Sequence, residues 1–261
     1  MKHAIQKGNA LSQPQGIIQH EATSSIRLNK FISESGYASR RGADRLVENG
    51  LVTINNVVAE VGTQVFPGDT VSVEGNIIGK VQNLVYIALN KPVGITSTTD
   101  PKDSSNIVKF MNYEDTIFPI GRLDKDSFGL ILMTNDGNIV NKILREEYGH
   151  DKEYIVSVDK PFNHEFASAM SNGVNIYNQA AHMMQVTEPC EVESLGPKTF
   201  RIILRQGLNR QIRRMTKALG FKVVSLQRVR IMNITIDNLK PGEWRYLTAA
   251  ELQEINHRIA Q

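Results

Sequence analysis

The distribution of apolar and polar residues changes at position 26. Residues 1–25 are rich in glutamine, serine, histidine and glycine and have no periodic apolar pattern, which predicts a disordered tail. The next segment has apolar residues at helical spacing, first at Leu28, Phe31 and Ile32 and then at Ala43, Leu46 and Val47. Short apolar runs at 52–54, 57–61 and 71–73 are separated by turn residues and predict strands. We therefore expect a small α/β module here.

A larger domain is predicted to begin near residue 84, after a short polar connection at 80–83. Apolar runs or alternation predict strands at 84–89, 130–133, 152–158, 199–205 and 226–236. Helical spacing predicts helices at 138–145 and 210–219. Thr248 and Glu251 have the spacing of a capping box before a C-terminal helix. The predicted fold class is α+β, with a tail at 1–25, a small module and connection at 26–83, and a larger domain at 84–261.

Composition narrows the class of protein. The chain has 261 residues, of which 41% are apolar and 22% are charged, and this is enough to bury a sizeable core. No apolar run has the length of a bilayer span, and the N-terminal segment lacks the apolar core of a secretory signal. We therefore expect a cytoplasmic protein with no membrane partner. The single cysteine, Cys190, has no second cysteine to pair with, and we interpret it as a packing residue.

Candidate chemistry is concentrated in the loop within residues 118–137. Between two glycines, this loop carries Arg122, Asp124, Lys125 and Asp126. The apolar run of a predicted strand follows directly. An acid that lies beside a base at a strand end is a suitable place for catalysis. The same residues would also fit a polar turn with a local ion pair, and the loop alone leaves both interpretations open.

Basic residues are concentrated near the C-terminus. Between positions 199 and 236, nine residues are basic and none is acidic, although the net charge of the whole chain is only +3. The predicted helix and strand carry Arg210, Arg213, Arg214, Lys217, Arg228 and Arg230, and each element has its basic residues on one side. The N-terminal module adds Lys30, Arg40 and Arg41. This pattern predicts a surface for a polyanion such as nucleic acid, and the alternative is a solvated basic face without a partner.

Several motifs carry a resemblance to known families. The stretch RLNKFISESGYASRRGADRLVENGLVTINNVVAEVGTQVFPGDTVSV, within residues 26–75, resembles an S4 domain, a small RNA-binding module. Four later stretches are ALNKPVGITSTT, FPIGRLDKDSFGLILMTNDG, KEYIVSV and GLNRQIRRM. In this order they resemble the catalytic domain of RsuA-group pseudouridine synthases, above all those that act on large-subunit ribosomal RNA. The resemblance spans residues 26–247 and implies a mixed, mainly antiparallel sheet in the second domain.

The resemblance also implies roles for individual residues. Asp124, the acid of the GRLD sequence, becomes the catalytic aspartate in the conversion of a flipped uridine into pseudouridine. Because burial disfavours a charged carboxylate, a fixed cation is needed, and Arg213 is expected to supply it. Tyr154 is expected to stack on the uracil and to assist proton transfer. Arg122 is expected to hold the loop or the RNA backbone and to fill the gap left by the flipped base. Phosphates are expected to bind Lys30, Arg40, Arg41, Arg210, Arg214, Lys217, Arg228 and Arg230.

The first chemical step stays open at this point. A single carboxylate can attack the sugar, attack the base or remove a ribose proton, and none of these routes needs a cofactor or a metal ion. The expected partner is large-subunit ribosomal RNA, with transfer RNA as a second candidate substrate. We expect the protein to act as a monomer.

Two other functional classes fit parts of the sequence. A noncatalytic RNA-binding or ribosome-assembly protein would keep the S4-like module and the basic face, and would use Asp124 only in an ion pair. A metal-dependent nuclease could be built on Asp124, Asp126 and Asp136, because clustered carboxylates bind magnesium. The basic residues interleaved with these acids argue against a bound cation.

Overall fold

The computed structural model describes residues 14–18, 24–79, 83–144 and 149–259. Most of the predicted tail and of the predicted connection, at 1–13, 19–23 and 80–82, lies outside the described residues. Where the tail is described, Ile17 and Ile18 pack against the larger domain, and Ile18 is buried. Among the described helices, none combines the length and apolar character needed to cross a membrane.

The N-terminal module contains two helices and six short strands. In chain order these are β1 (Ile26–Arg27), α1 (Leu28–Glu34), α2 (Arg40–Glu48), β2 (Val52–Ile54), β3 (Val57–Val58), β4 (Gln64–Val65), β5 (Val71–Val73) and β6 (Asn76–Ile78). Ser39 caps α2 as predicted, since its hydroxyl accepts a hydrogen bond from the Gly42 amide at 3.1 Å. Asn55 and Asn56 both have positive φ, as a tight hairpin turn between β2 and β3 requires.

The larger domain is built on a nine-stranded sheet. Its elements begin with β7 (Tyr86–Lys91), α3 (Ile107–Met111), β8 (Phe118–Ile120), β9 (Phe128–Thr134), α4 (Gly137–Leu144), β10 (Lys152–Val158), α5 (His164–Asn172), β11 (Asn175–Asn178) and β12 (Met183–Val186). They continue with β13 (Glu191–Gly196), β14 (Thr199–Leu204), α6 (Gln211–Ala218), β15 (Val223–Ile231), β16 (Ile234–Thr235), β17 (Trp244–Tyr246) and α7 (Ala249–Ile259).

The main sheet has the strand order β13-β14-β10-β15-β9-β7-β17, with β16 beside β15 and β8 beside β9. The described pairs are antiparallel, with the exception of β15 and β9, which run parallel. Strands β11 and β12 form a separate hairpin. This mixed, mainly antiparallel sheet confirms the predicted fold class.

Both faces of the central strands are covered. On β7, Ile87 and Leu89 belong to one apolar cluster, whereas Tyr86 and Ala88 belong to a second cluster on the opposite face. A strand that is buried on both faces is apolar over most of its length rather than alternating, as β9 also is. The sheet therefore forms a rigid base on which loops at its edge can be positioned.

The predicted elements of this domain are largely confirmed. Strand β10 has the predicted bounds, and helix α6 lies within the predicted 210–219. The capping box is formed, because the Glu251 carboxylate accepts from the Thr248 amide at 2.7 Å and the Thr248 hydroxyl accepts from the Glu251 amide at 3.2 Å. The single strand predicted at 226–236 was wrong, since β15 and β16 form a tight hairpin with Met232 at positive φ.

The two domains touch near the start of α4. The Thr116 hydroxyl donates a hydrogen bond to the Gly36 carbonyl, just after α1, at 2.9 Å. On the same side, the Glu34 carboxylate lies 3.9 Å from where a Cβ on Gly137 would stand.

Candidate active site

The loop that carries the candidate acids connects β8 to β9, at residues 121–127. Gly121 and Gly129 flank it, with φ of 75° and 107°, values that L side chains rarely adopt. Gly129 is also a point of close approach, because β9 and β15 pair there in parallel and a Cβ would lie 2.2 Å from the Arg228 carbonyl oxygen. The loop therefore leaves the sheet at a position that only glycine fits.

The backbone of this loop is held at several points. The Ser97 hydroxyl donates to the Leu123 carbonyl at 2.7 Å and accepts from the Leu123 amide at 3.1 Å. The Gly94 amide donates to the Lys125 carbonyl at 2.8 Å, which ties the loop to the turn after β7. Leu123 is buried. These contacts fix the residues on both sides of Asp124 without using its side chain.

The closest described cation to Asp124 is Arg210, at the N-terminus of α6. Its Nη1 lies 3.2 Å from Asp124 Oδ2, and the Asp124 side chain is 32% exposed. The same guanidinium donates to both oxygens of Asp126, at 3.0 and 2.9 Å. This bidentate pair holds the pKa of Asp126 below its usual range and raises the pKa of Arg210. Arg210 thus lies between the two acids, where a magnesium ion would have to lie in the nuclease interpretation.

Arg213 lies deeper in the site. Its Nη2 donates to the Asp126 carbonyl and to the Ser127 hydroxyl, each at 3.0 Å, and lies 3.5 Å from Asp126 Oδ2. The side chain is 15% exposed, and burial lowers the pKa of the guanidinium. An ion pair between Asp124 and Arg213 was expected. Instead, Arg210 makes the ion pair with Asp124, and Arg213 donates hydrogen bonds to the loop at Asp126 and Ser127.

A cavity of about 420 Å³ opens beside the loop. Asp124, Tyr154 and Arg213 all line it, and Leu204 and Leu226 are among its apolar lining residues. Tyr154 reaches it from β10, in the centre of the sheet, and packs against the larger apolar cluster. A carboxylate, an aromatic ring and a cation from three distant segments thus meet in one space of the size that binds small ligands.

Two buried cations lie beneath the loop. Lys91 is fully buried, and its Nζ donates to the carbonyls of Pro92 and Ile95 at 3.0 and 2.9 Å, while burial lowers its pKa to about 8. Arg228 is 4% exposed and donates to the carbonyls of Leu130 and Arg122. Lys91 was not among the residues predicted from the sequence, although a lysine at the end of a buried strand was a usable signal.

The prediction that Arg228 binds phosphate was wrong. Arg228 is buried, and its guanidinium donates hydrogen bonds to backbone carbonyls. Arg230 is ion-paired with Glu153 at 2.8 Å, and Lys30 with Glu34 at 3.5 Å. The Arg214 guanidinium donates to the Tyr177 carbonyl and to the Asn209 side chain. Exposed positions among the predicted RNA-binding residues are Arg40, Arg41, Arg122, Arg210 and Lys217.

The other predicted acid, Asp136, lies away from this cavity's lining. It is buried at the start of α4, where it accepts hydrogen bonds from the Tyr86 hydroxyl at 2.6 Å and the Asn138 amide at 3.0 Å. Burial and the adjacent carboxylate raise the pKa of Tyr86. Within the described ranges, no group of three or more His, Cys, Asp or Glu side chains could hold a metal ion.

Comparison with known proteins gives the class of protein that this fold and site define. Residues 85–218 match the RNA pseudouridylate synthase family, and residues 26–71 match the S4 domain family. The chain therefore belongs to the RNA pseudouridylate synthase family and is an isomerase that converts uridine in RNA into pseudouridine. The resemblances stated from the sequence are confirmed.

Individual relatives make the comparison more specific. The dual-specificity RNA pseudouridine synthase RluF of Escherichia coli strain K12 is 53% identical over 234 residues, which are 89% of this chain and 79% of the relative. The ribosomal small subunit pseudouridine synthase A of Salmonella typhimurium is 32% identical over 88% of this chain and all of the relative. A crystal structure described as a pseudouridylate synthase is 29% identical, with a TM-score of 0.65 over 88% of this chain and 99% of that chain.

Proposed function

We propose that Asp124 is the catalytic carboxylate with which this chain isomerises a specific uridine in large-subunit ribosomal RNA. The observation that carries the proposal is the shared cavity of Asp124, Tyr154 and Arg213. The reaction breaks the bond between N1 and C1′, turns the uracil and joins C5 to C1′. The proton lost from C5 is balanced by the proton gained at N1, so nothing is oxidised or reduced and one carboxylate is sufficient.

The surroundings of Asp124 suit an ionised carboxylate that meets a flipped nucleoside. Arg210 stabilises its negative charge from 3.2 Å, and the loop contacts of Ser97 and Gly94 hold its backbone. Tyr154 offers an aromatic surface on which the uracil stacks, because a base removed from the helix loses its stacking partners. Arg122 is exposed and lines the same cavity, so we assign it to the RNA at the position that the target base leaves.

The RNA backbone is bound outside the cavity. Arg40 and Arg41 lie exposed in the first turn of α2, where free backbone amides also face an anion. Lys217 is exposed on α6 and extends the basic surface away from Asp124. Such contacts position the RNA without reading its sequence, so the folded shape of the RNA is left to specify the site.

We expect the cations beside the loop, Arg210 and Arg213, to have a different role from Arg40 and Arg41 on α2. Arg210→Ala and Arg213→Ala should each lower kcat by about 10²-fold and change RNA affinity much less, because they act on the reactive loop. The double variant Arg40→Ala with Arg41→Ala should weaken RNA binding and reduce the slope of log K against log salt by about 1 to 2, with kcat retained. Single-turnover rates and salt-dependent binding would measure both. Equal losses of affinity in both groups would contradict the assignment.

The choice of RNA target rests on the sequence motifs, which resemble those of synthases that act on large-subunit ribosomal RNA. The 53% identical relative is named a dual-specificity enzyme, whereas the relative named for the small ribosomal subunit is only 32% identical. We accordingly propose large-subunit ribosomal RNA as the substrate, transfer RNA as the second candidate, and a cytoplasmic monomer as the acting form.

Pseudouridine mapping of total RNA from cells with and without the gene tests this target. We expect modified positions to disappear from large-subunit ribosomal RNA, and a matching loss from transfer RNA would establish the second substrate. The full-length gene restored in the same cells should return every lost position. Losses confined to small-subunit RNA would contradict the proposed target while leaving the isomerase activity intact.

A further inference from the structure

A second cavity, of about 440 Å³, lies on the other side of the reactive loop. Its lining includes Val93, Gly94 and Thr96 from the turn after β7, and Lys125 from the loop itself. The two cavities share Arg122, Leu123, Asp124 and Arg210 as a common wall. A nucleotide bound in one cavity would therefore lie next to a nucleotide bound in the other.

The two cavities differ in the groups that suit a reacting base. Tyr154 and Arg213 line only the first cavity, together with apolar side chains from the sheet and from α6. The second cavity is formed mainly by the turn and the loop, and none of its described lining residues is aromatic. If the target uridine occupies the first cavity, as the proposed function requires, the second cavity is left for a different part of the same RNA.

The lining of the second cavity matches a nucleotide. Val93 is 61% exposed, and a Cβ on Gly94 would meet no atom within 4 Å, so the turn presents an open apolar surface. A base can pack flat on such a surface, because every base has an apolar face. Lys125 Nζ donates to the Ser105 hydroxyl at 2.9 Å and also attracts the nearby Asp103 carboxylate, and its exposed ammonium can in addition meet a phosphate.

We propose that the second cavity binds the nucleotide that adjoins the target uridine in the RNA chain, with its base against Val93 and Gly94 and its phosphate at Lys125. The inference rests on the proposed function, since it needs the uridine in the first cavity. The presence of a base at the adjoining position and the flexibility of that nucleotide then contribute to the choice of site, in addition to the fold of the RNA.

The test combines a variant whose larger side chain fills the second cavity with RNA fragments that lack one base. Val93→Trp places a large side chain where the neighbouring base would lie. The probe is the RNA fragment that contains the mapped uridine, prepared intact and with an abasic residue at its 5′ or its 3′ neighbour. We expect Val93→Trp to lower kcat/KM on the intact fragment about 10-fold, and one abasic fragment to lower it similarly with the unaltered protein. On that abasic fragment, the unaltered protein and Val93→Trp should differ less than about twofold.

Val224→Trp is the matched control, because Val224 is a 68% exposed valine on β15 that lines neither cavity. This variant should leave kcat/KM unchanged on all three fragments. The proposal is overturned if Val93→Trp slows the intact fragment and both abasic fragments by the same factor, or slows none of them. Pseudouridine formation on the intact fragment by the unaltered protein and its loss in Asp124→Ala remain a separate result, so this failure is distinguishable from failure of the proposed function.

Discussion

Asp124→Ala should reduce pseudouridine formation by about 10⁴-fold or more, because no other described carboxylate is placed to replace it in the first cavity. The fold should survive this change. Arg210 keeps its bidentate pair with Asp126, and the loop backbone keeps its contacts with Ser97 and Gly94. Chemical mapping of pseudouridine on ribosomal RNA treated with the variant would measure the loss.

Two further variants sharpen this prediction. Asp124→Asn preserves the size of the side chain but cannot act as a base or a charged nucleophile, so it should be as inactive as Asp124→Ala. Asp115→Ala removes an exposed carboxylate that lines neither cavity and should retain full activity. Full activity of Asp124→Ala would overturn the assignment and favour the noncatalytic interpretation of this site.

Gly129→Ala should lower the free energy of unfolding by about 4 kcal/mol or more, which places it among the most damaging single substitutions. A Cβ at this position would lie 2.2 Å from the carbonyl oxygen and 2.7 Å from the amide nitrogen of Arg228. Both atoms belong to the backbone of β15, so no side-chain rotation can relieve the clash. Separation of β9 from β15 would also displace the loop that carries Asp124, and activity should fall together with stability.

Gly220→Ala provides the comparison that isolates this clash. Gly220 also has a positive φ, of 82°, but a Cβ there would meet no atom within 4 Å. Gly220→Ala should therefore lower the free energy of unfolding only by the backbone strain of a left-handed residue, about 1 kcal/mol. Urea unfolding of the full chain would measure both variants. Similar losses of stability would show that backbone strain, rather than contact with Arg228, determines the requirement for glycine at position 129.

Much of the fold was predictable because local patterns agree with tertiary structure. Strand β10 alternates, α2 has its serine cap, and α7 has its capping box, so each element is specified by residues within its own segment. Elements without such a local pattern were missed. The β11–β12 hairpin exposes Met183 and Met184 and lacks the buried, alternating pattern of a core strand.

The site was predictable in its residue types but not in its pairings. Arg210 and Arg213 are three residues apart near the start of α6, and spacing alone cannot decide which of them reaches Asp124. Arg210 has a left-handed backbone, with φ of 50°, just before the helix, and this conformation is not evident from periodicity. The burial of Arg228 likewise depends on the loop that covers β15, which is formed about a hundred residues earlier in the chain.

Because β9 pairs with β15, the candidate active site can be completed only after β15 has been synthesised. Asp124 lies near the middle of the chain, but Arg210, Arg213 and the strand beside Gly129 come from its last quarter. The N-terminal module contains its own apolar cluster, and domains generally fold in order as they emerge from the ribosome. If this module binds RNA as proposed, binding can precede catalysis, and an incomplete chain carries the proposed catalytic carboxylate without the cations and the strand that complete its site.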